Sequence, residues 1–257
     1  MFTNTSLEGG KWYLLARSAE PITYYRAFSS YLAGVAFSMI TPNRIGEYPG
    51  RILYLGKANT FKYINVSVLG IMAQLLGVYI VGLLGLTYYS IAFPGLLPHV
   101  ALAVCTVANI LLIIIYLRFE SWLPALEKIS WLRRFAIYGR LITRVTYRWQ
   151  FTLLAISVLR VSIFTAQYLF LLRWMNVNVP WGQGYCMAAL FFWVMAIIPS
   201  IAFTGFASRM KVSLILFLHF SSNAPGILAA TIGIWVLNLV VPAIIGSFLI
   251  LRMRLLR

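Results

Sequence analysis

Four stretches of this 257-residue chain, 64–93, 99–117, 151–172 and 227–251, are apolar at nearly every position. A helix needs about 20 such residues to cross the hydrocarbon of a bilayer, and a soluble fold has no core large enough to hide several of them. A fifth run, 185–203, is also long enough to cross. Two shorter apolar pieces, 27–40 and 212–220, cannot span untilted, and each adjoins a glycine-containing break. Short interrupted segments of this kind predict re-entrant or discontinuous helices. The pattern therefore predicts an all-α polytopic membrane bundle of about five full spans plus two short or re-entrant segments, with 1–257 forming one domain.

The basic residues are then read against those runs. The chain has 21 Lys and Arg against 5 Glu and no Asp, a net charge of +16. In a polar chain such an excess points to nucleic acid; here it sorts the loops instead, because Lys and Arg collect on the cytoplasmic side. Loop 118–149 holds Arg118, Lys128, Arg133, Arg134, Arg140, Arg144 and Arg148, and the tail holds Arg252, Arg254 and Arg257. The turn at Pro94 and Pro98 has no charge, and 173–184 has only Arg173. The expected C-terminus is cytoplasmic, and no nucleic-acid partner is expected. Segments 185–203 and 209–222 either cross one each or dip in together; both routes give the same final orientation. Within 118–149 the arginines 133, 140, 144 and 148 fall on one helical side with Leu132, Ile142, Val145 and Trp149 for apolar contact, which predicts an amphipathic helix lying on anionic lipid. Trp12, Tyr24, Trp122, Trp149, Trp174 and Trp181 lie near proposed span ends, where aromatic rings favour the headgroup level.

The acidic residues restrict chemistry further. Glu8, Glu20, Glu47, Glu120 and Glu127 are the only carboxylates, His99 and His219 lie far apart, and Cys105 and Cys186 sit inside apolar runs as packing residues. Paired-carboxylate hydrolysis and metal chemistry have little to work with, so no metal and no cofactor are expected. There is no phosphate-binding loop of the Walker type. Binding or transport is the expected class, not enzymatic conversion.

The most informative stretch is Thr41-Pro42-Asn43-Arg44-Ile45-Gly46-Glu47-Tyr48-Pro49-Gly50-Arg51. Two prolines and two glycines predict that no helix runs through it. Broken backbone beside a membrane exposes N–H and C=O groups that can hold a ligand, and Arg44 and Arg51 can bind a lipid phosphate bidentately while Glu47 holds their geometry or meets a cationic headgroup. The competing reading is a cytoplasmic turn whose arginines set topology. Arg160 sits near the middle of 151–172, where a charge costs roughly 2.5–3.5 kcal/mol on insertion scales. It is expected either to share a polar cavity with Glu47 or to snorkel toward the headgroups.

The run from Gly34 through Pro42-Asn43-Arg44-Ile45-Gly46-Glu47 resembles the Pro-x-Arg-x-Gly-Glu motif of the lysylphosphatidylglycerol synthase transmembrane domain, a flippase-like family. Pro199, Thr204-Gly205 and Arg209, followed by Asn238, Pro242 and Gly246, look like that family's second motif and closing helix. The likeness covers roughly 8–251. It implies a bacterial inner-membrane protein that handles lipid, with Arg44, Gly46, Glu47, Arg51, Arg160 and Arg209 as headgroup-binding residues and Pro42, Pro199 and Gly205 as structural ones. The soluble synthase domain of the best-known members has no counterpart in this sequence, which implies a translocase-like module. The rival is a non-catalytic membrane partner of a lipid-modifying enzyme. A transferase using Glu47 as general base is the enzymatic alternative; a lone carboxylate without a His or metal partner argues against it. Members usually carry about two helices before the segment matched by Lys11-Trp12, so a truncated N-terminus is expected. Arg209 is followed by Met210 where the family commonly has Glu. The expected ligand is an anionic phospholipid.

Overall fold

The computed structural model describes residues 1–41, 45–55, 60–119, 121, 124, 127–128, 146–198 and 205–255. The described residues form helices joined by short turns. In chain order they are α1 (Phe2–Ala19), α2 (Tyr24–Ser38), α3 (Glu47–Leu55), α4 (Thr60–Ala92), α5 (Leu96–Leu117), α6 (Tyr147–Trp174), α7 (Trp181–Ile197), α8 (Gly205–Phe217), α9 (Ala224–Trp235), a π-helical turn (Val236–Val240) and α10 (Val241–Leu255).

By length and composition, α4, α5, α6 and the continuous segment Ala224–Arg252 can cross a membrane, and α7 is a shorter apolar helix of 17 residues. The short apolar pieces are 15-residue α2 and 13-residue α8. An all-α membrane bundle is what the run lengths demand. With lipid on the outside, backbone groups must be satisfied within the chain, and helices do this locally.

Two features depart from the sequence reading. The first is the N-terminal segment, expected to be a cytoplasmic lead with Trp12 at the headgroups. It is helix α1, and Trp12 is 0% exposed, donating its indole Nε1–H to Ser30 Oγ at 2.7 Å. The cause is in the residues: α1 carries Glu8 and Lys11 inward, and a polar face turned to the interior hides a helix from any search for apolar runs. The second is α3. Helix does stop after Ser38, and Gly46 N–H donates to Thr41 Oγ1 at 2.9 Å, yet Glu47 opens a new helix that contains Pro49, Gly50 and Arg51. Pro49 falls in the first turn, where its missing N–H has no intrahelical acceptor to lose.

The apolar interior forms two main clusters. One gathers Trp12, Leu15, Tyr31, Leu69, Leu76 and Leu153 from α1, α2, α4 and α6. The other gathers Tyr168, Phe191, Phe217, Ile227 and Ile234 from α6 to α9. At one end α5 is tied to α6 by a reciprocal pair, Tyr116 Oη–H to Gln150 O and Gln150 Nε2–H to Tyr116 O, each 2.8 Å.

Helix α10 lies directly on α2. A Cβ placed on Gly246 would stand 1.9 Å from Leu32 O and 2.5 Å from Leu32 C, so backbone meets backbone there. Between membrane helices such approach supplies dispersion that larger residues forfeit. Gly246→Val is expected to lower stability by about 1–3 kcal/mol, the usual cost of overpacking, read as an earlier thermal aggregation midpoint in detergent. An unchanged midpoint would mean that α10 does not rest on α2.

Candidate functional site

The site begins with Glu8 on the inner face of α1. Its carboxylate meets three cations: Lys11 Nζ at 2.8 Å, Arg51 Nη2 at 3.0 Å and Arg160 Nη1 at 3.1 Å. Lys11 follows on the same helix at i,i+3, Arg51 comes from α3, and Arg160 from the middle of α6. Charges this deep survive only when paired and hydrogen-bonded. Gln74 of α4 supplies part of the remainder, its Oε1 accepting from Lys11 Nζ at 2.9 Å and from Arg160 Nη1 at 2.8 Å. Lys11 also reaches Ser157 Oγ at 3.4 Å.

Arg51 is enclosed more tightly than any other charge here. It is 0% exposed, bonded through Nη2 to Glu8 and to Glu47 at i,i+4, and boxed by the rings of Trp12, Tyr31 and Tyr48, whose centroids lie 5.0, 5.0 and 4.9 Å from its Cζ. Its Nε and Nη1 have no hydrogen-bond acceptor among the described residues, and the ring faces take that place. Gly34 makes this possible: a Cβ on it would lie 2.3 Å from Glu47 O, so α2 and α3 cross in backbone contact and bring Glu47 and Arg51 inward.

In front of this network opens a cavity of about 410 Å³. Asn4, Glu8, Glu47, Tyr48, Gln74, Arg160 and Arg209 are among its polar lining. Ile71, Val78, Phe164, Phe191, Phe192 and Met195 give it an apolar wall. Arg160 keeps 16% of its side chain exposed, whereas Glu8 keeps 3%, and Lys11, at 1%, does not line the cavity. Asn238, set in the π-helical turn, lines the same cavity, and its Nδ2 donates to Gln167 Oε1 at 3.2 Å and to Ile234 O at 3.1 Å. A π turn widens the helix by one residue and displaces side chains from their regular positions, a device common at functional sites.

The sequence-predicted residues are distributed as follows. Glu47, Arg160 and Arg209 all line the one cavity, although α3, α6 and α8 are far apart in the chain. Arg160 shares the cavity with Glu47, while its carboxylate contact is with Glu8, because α1 folds inward and delivers a nearer acid; Glu47 pairs with Arg51. Arg51 stands behind the cavity wall. Gly46 sits in the turn before α3 and Gly205 opens α8. Arg44, Pro42 and Pro199, with most of the basic stretch 118–149, lie outside the described residues.

Sequence reading missed Glu8, Lys11, Gln74, Asn4 and Asn238. A signal for the first two existed: Glu8 and Lys11 stand three residues apart, the spacing of a helical ion pair, in a segment with no other charge from Phe2 to Ala16.

The described residues contain no group of three or more His, Cys, Asp or Glu that could hold a metal ion. Arginines, carboxamides and apolar side chains lining one cavity make a container suited to an amphiphile. No curated protein and no solved structure matches the chain. One family model does, and it spans residues 1–246, both motifs and every residue of the cavity: the chain belongs to the family of the lysylphosphatidylglycerol synthase TM region.

Proposed function

We propose that this membrane protein binds an anionic phospholipid in the cavity and moves it between leaflets, acting as a translocase and not as an enzyme. The observation that carries this reading is that one cavity is lined both by Arg160 and Arg209 and by aliphatic and aromatic side chains. A guanidinium binds phosphate through two parallel N–H donors, and the acyl chains match the apolar wall. Three cations, Lys11, Arg51 and Arg160, meet the carboxylates Glu8 and Glu47, so this network carries more positive than negative charge with which to attract the headgroup. Glu47 serves through Arg51, holding the wall of the site in place. The lipid gradient or an ion gradient would drive the movement. The family likeness supports a bacterial inner-membrane location, and the loop charges support a cytoplasmic C-terminus.

Native mass spectrometry of the detergent-purified protein tests this. The wild type is expected to retain a defined anionic lipid, and Arg160→Gln to lose it by about tenfold or more, the equivalent of one charge-assisted contact. Fluorescent phospholipid reconstituted with the protein in liposomes should change leaflets with wild type and not with the variant. Equal, unspecific lipid on both proteins, with no movement, would sink the translocase reading and leave a partner subunit of a lipid-modifying enzyme in front.

A further inference from the structure

Among the described residues the cavity is blind toward one side of the protein. On α4 its lining runs from Ile71 to Val78 and stops, and on α6 it takes in Arg160 and Phe164 but not Tyr168, which follows one turn later and is fully buried. Helix α7 runs antiparallel to α4, with Gly85 against Cys186 and Gly82 against Trp193, and joins the lining only from Phe191 onward. Helix α9 joins only from Thr231 onward. All four helices leave the cavity toward the side that holds the α4–α5 turn. Toward the other side the lining reaches exposed positions, Ile71 on α4 and Ala196 in the last turn of α7.

Two different kinds of contact close the blind end. Between α4 and α7 it is backbone: a Cβ on Gly85 would lie 2.3 Å from Cys186 O and 2.6 Å from Leu190 N, so nothing passes there unless the helices separate. Between α6, α7 and α8 it is a stack of rings. Phe164 and Phe192 have centroids 4.4 Å apart, and behind them Tyr168 meets Phe191 at 5.0 Å, Phe192 at 5.6 Å and Phe217 at 5.6 Å. Rings move by side-chain rotation alone, which makes this the weaker part of the seal. The Tyr168 hydroxyl holds it shut. It lies 2.7 Å from Thr231 Oγ1, whose own hydrogen goes to Ile227 O at 2.8 Å, so the tyrosine is the donor. Ser213 of α8 stands within hydrogen-bonding reach of the same hydroxyl. One side chain thus ties α6 to α7, α8 and α9.

Resting on the translocase reading for what passes through it, we infer that Phe164, Phe192 and Tyr168 form an aromatic gate that closes the cavity toward the α4–α5 turn, and that the Tyr168 hydroxyl is its latch. A ligand that reaches the cavity from the Ile71 and Ala196 side leaves by the opposite side only when the Tyr168–Thr231 bond breaks and the rings swing apart. Access from the closed side then scales with the population of the open form, which loss of the latch raises.

The test reads access, not lipid. In the full chain with Cys105→Ala and Cys186→Ala, a single reporter thiol is placed in the cavity as Leu75→Cys, and a membrane-impermeant maleimide is offered to membrane vesicles of each orientation. Gly95→Cys, in the α4–α5 turn, marks which vesicles expose that side. With the gate intact, the reporter is expected to react slowly or not at all from the side of the turn. Tyr168→Phe keeps the ring and removes the latch, and should speed that reaction by about tenfold, the equivalent of one buried hydrogen bond. Phe192→Ala opens the stack itself and should speed it further. Reaction from the side of the turn that is already fast with the gate intact, or that neither variant speeds, would overturn the gate. Fluorescent phospholipid followed in liposomes containing the same proteins keeps the two readings apart. Thiol access that rises in the variants while no protein moves lipid would leave the gate standing and sink the translocase; lipid movement without any change in access would do the reverse.

Discussion

Arg51→Ala is expected to be the most damaging single change in this protein, with a loss of stability of about 3–5 kcal/mol, the cost of breaking a buried ion pair by removing one partner. The substitution takes the Arg51 ion pair from Glu47 and removes one of three cations from the buried Glu8. It also empties the space between Trp12, Tyr31 and Tyr48. Arg51→Lys should recover only a minor part, because an ammonium is a compact charge that cannot lie flat among three rings while it bonds two carboxylates. The check is the thermal unfolding midpoint of each variant in one detergent, with yield of monodisperse protein as a second readout. An alanine variant as stable as wild type would show that the box does not hold α3 to α1 and α2.

Glu8→Gln should rank next, on the same scale of about 3–5 kcal/mol, since it leaves Lys11, Arg51 and Arg160 without their shared counter-charge. The discriminating measurement is a second variant. Glu8→Gln combined with Lys11→Met removes one stranded cation together with the acid, and is expected to melt above Glu8→Gln alone. Contacting charges couple and do not add, so additive losses in the pair would sink the account of Glu8 as the common partner.

Much of the fold was legible because hydrocarbon imposes a simple length rule. The four long apolar runs became α4, α5, α6 and the Ala224–Arg252 segment, and the two short pieces became α2 and α8. The site was legible only in part. Arg160 stood out because a charge in the middle of an apolar run has no other excuse, and Glu47 because it lies in a broken segment beside one. Glu8 and Lys11 did not stand out, since a helix that faces its charges inward looks from sequence like a polar lead. The carboxamides were hidden for another reason: Asn4 and Gln74 are ordinary residues one at a time, Asn238 stood out only within the second motif, and only the fold makes the three neighbours. The π turn at Val236–Val240 likewise has no signature in an apolar run.

The charge network also bears on the order in which the chain can be assembled. Glu8 and Arg51 are 43 residues apart, and Lys11 is nearer still, so the core of the network leaves the ribosome early and can neutralise itself before much else exists. Arg160 is made late, 156 residues after Asn4, and enters with a span that is costly to insert alone. The α1–α4 unit then acts as a receptor for the nascent α6, presenting a waiting carboxylate and two amide oxygens to its one intramembrane charge. Insertion of the later half of the protein is in this sense templated by the first 74 residues, and a lesion at Glu8 should show itself during biogenesis, before any lipid is met.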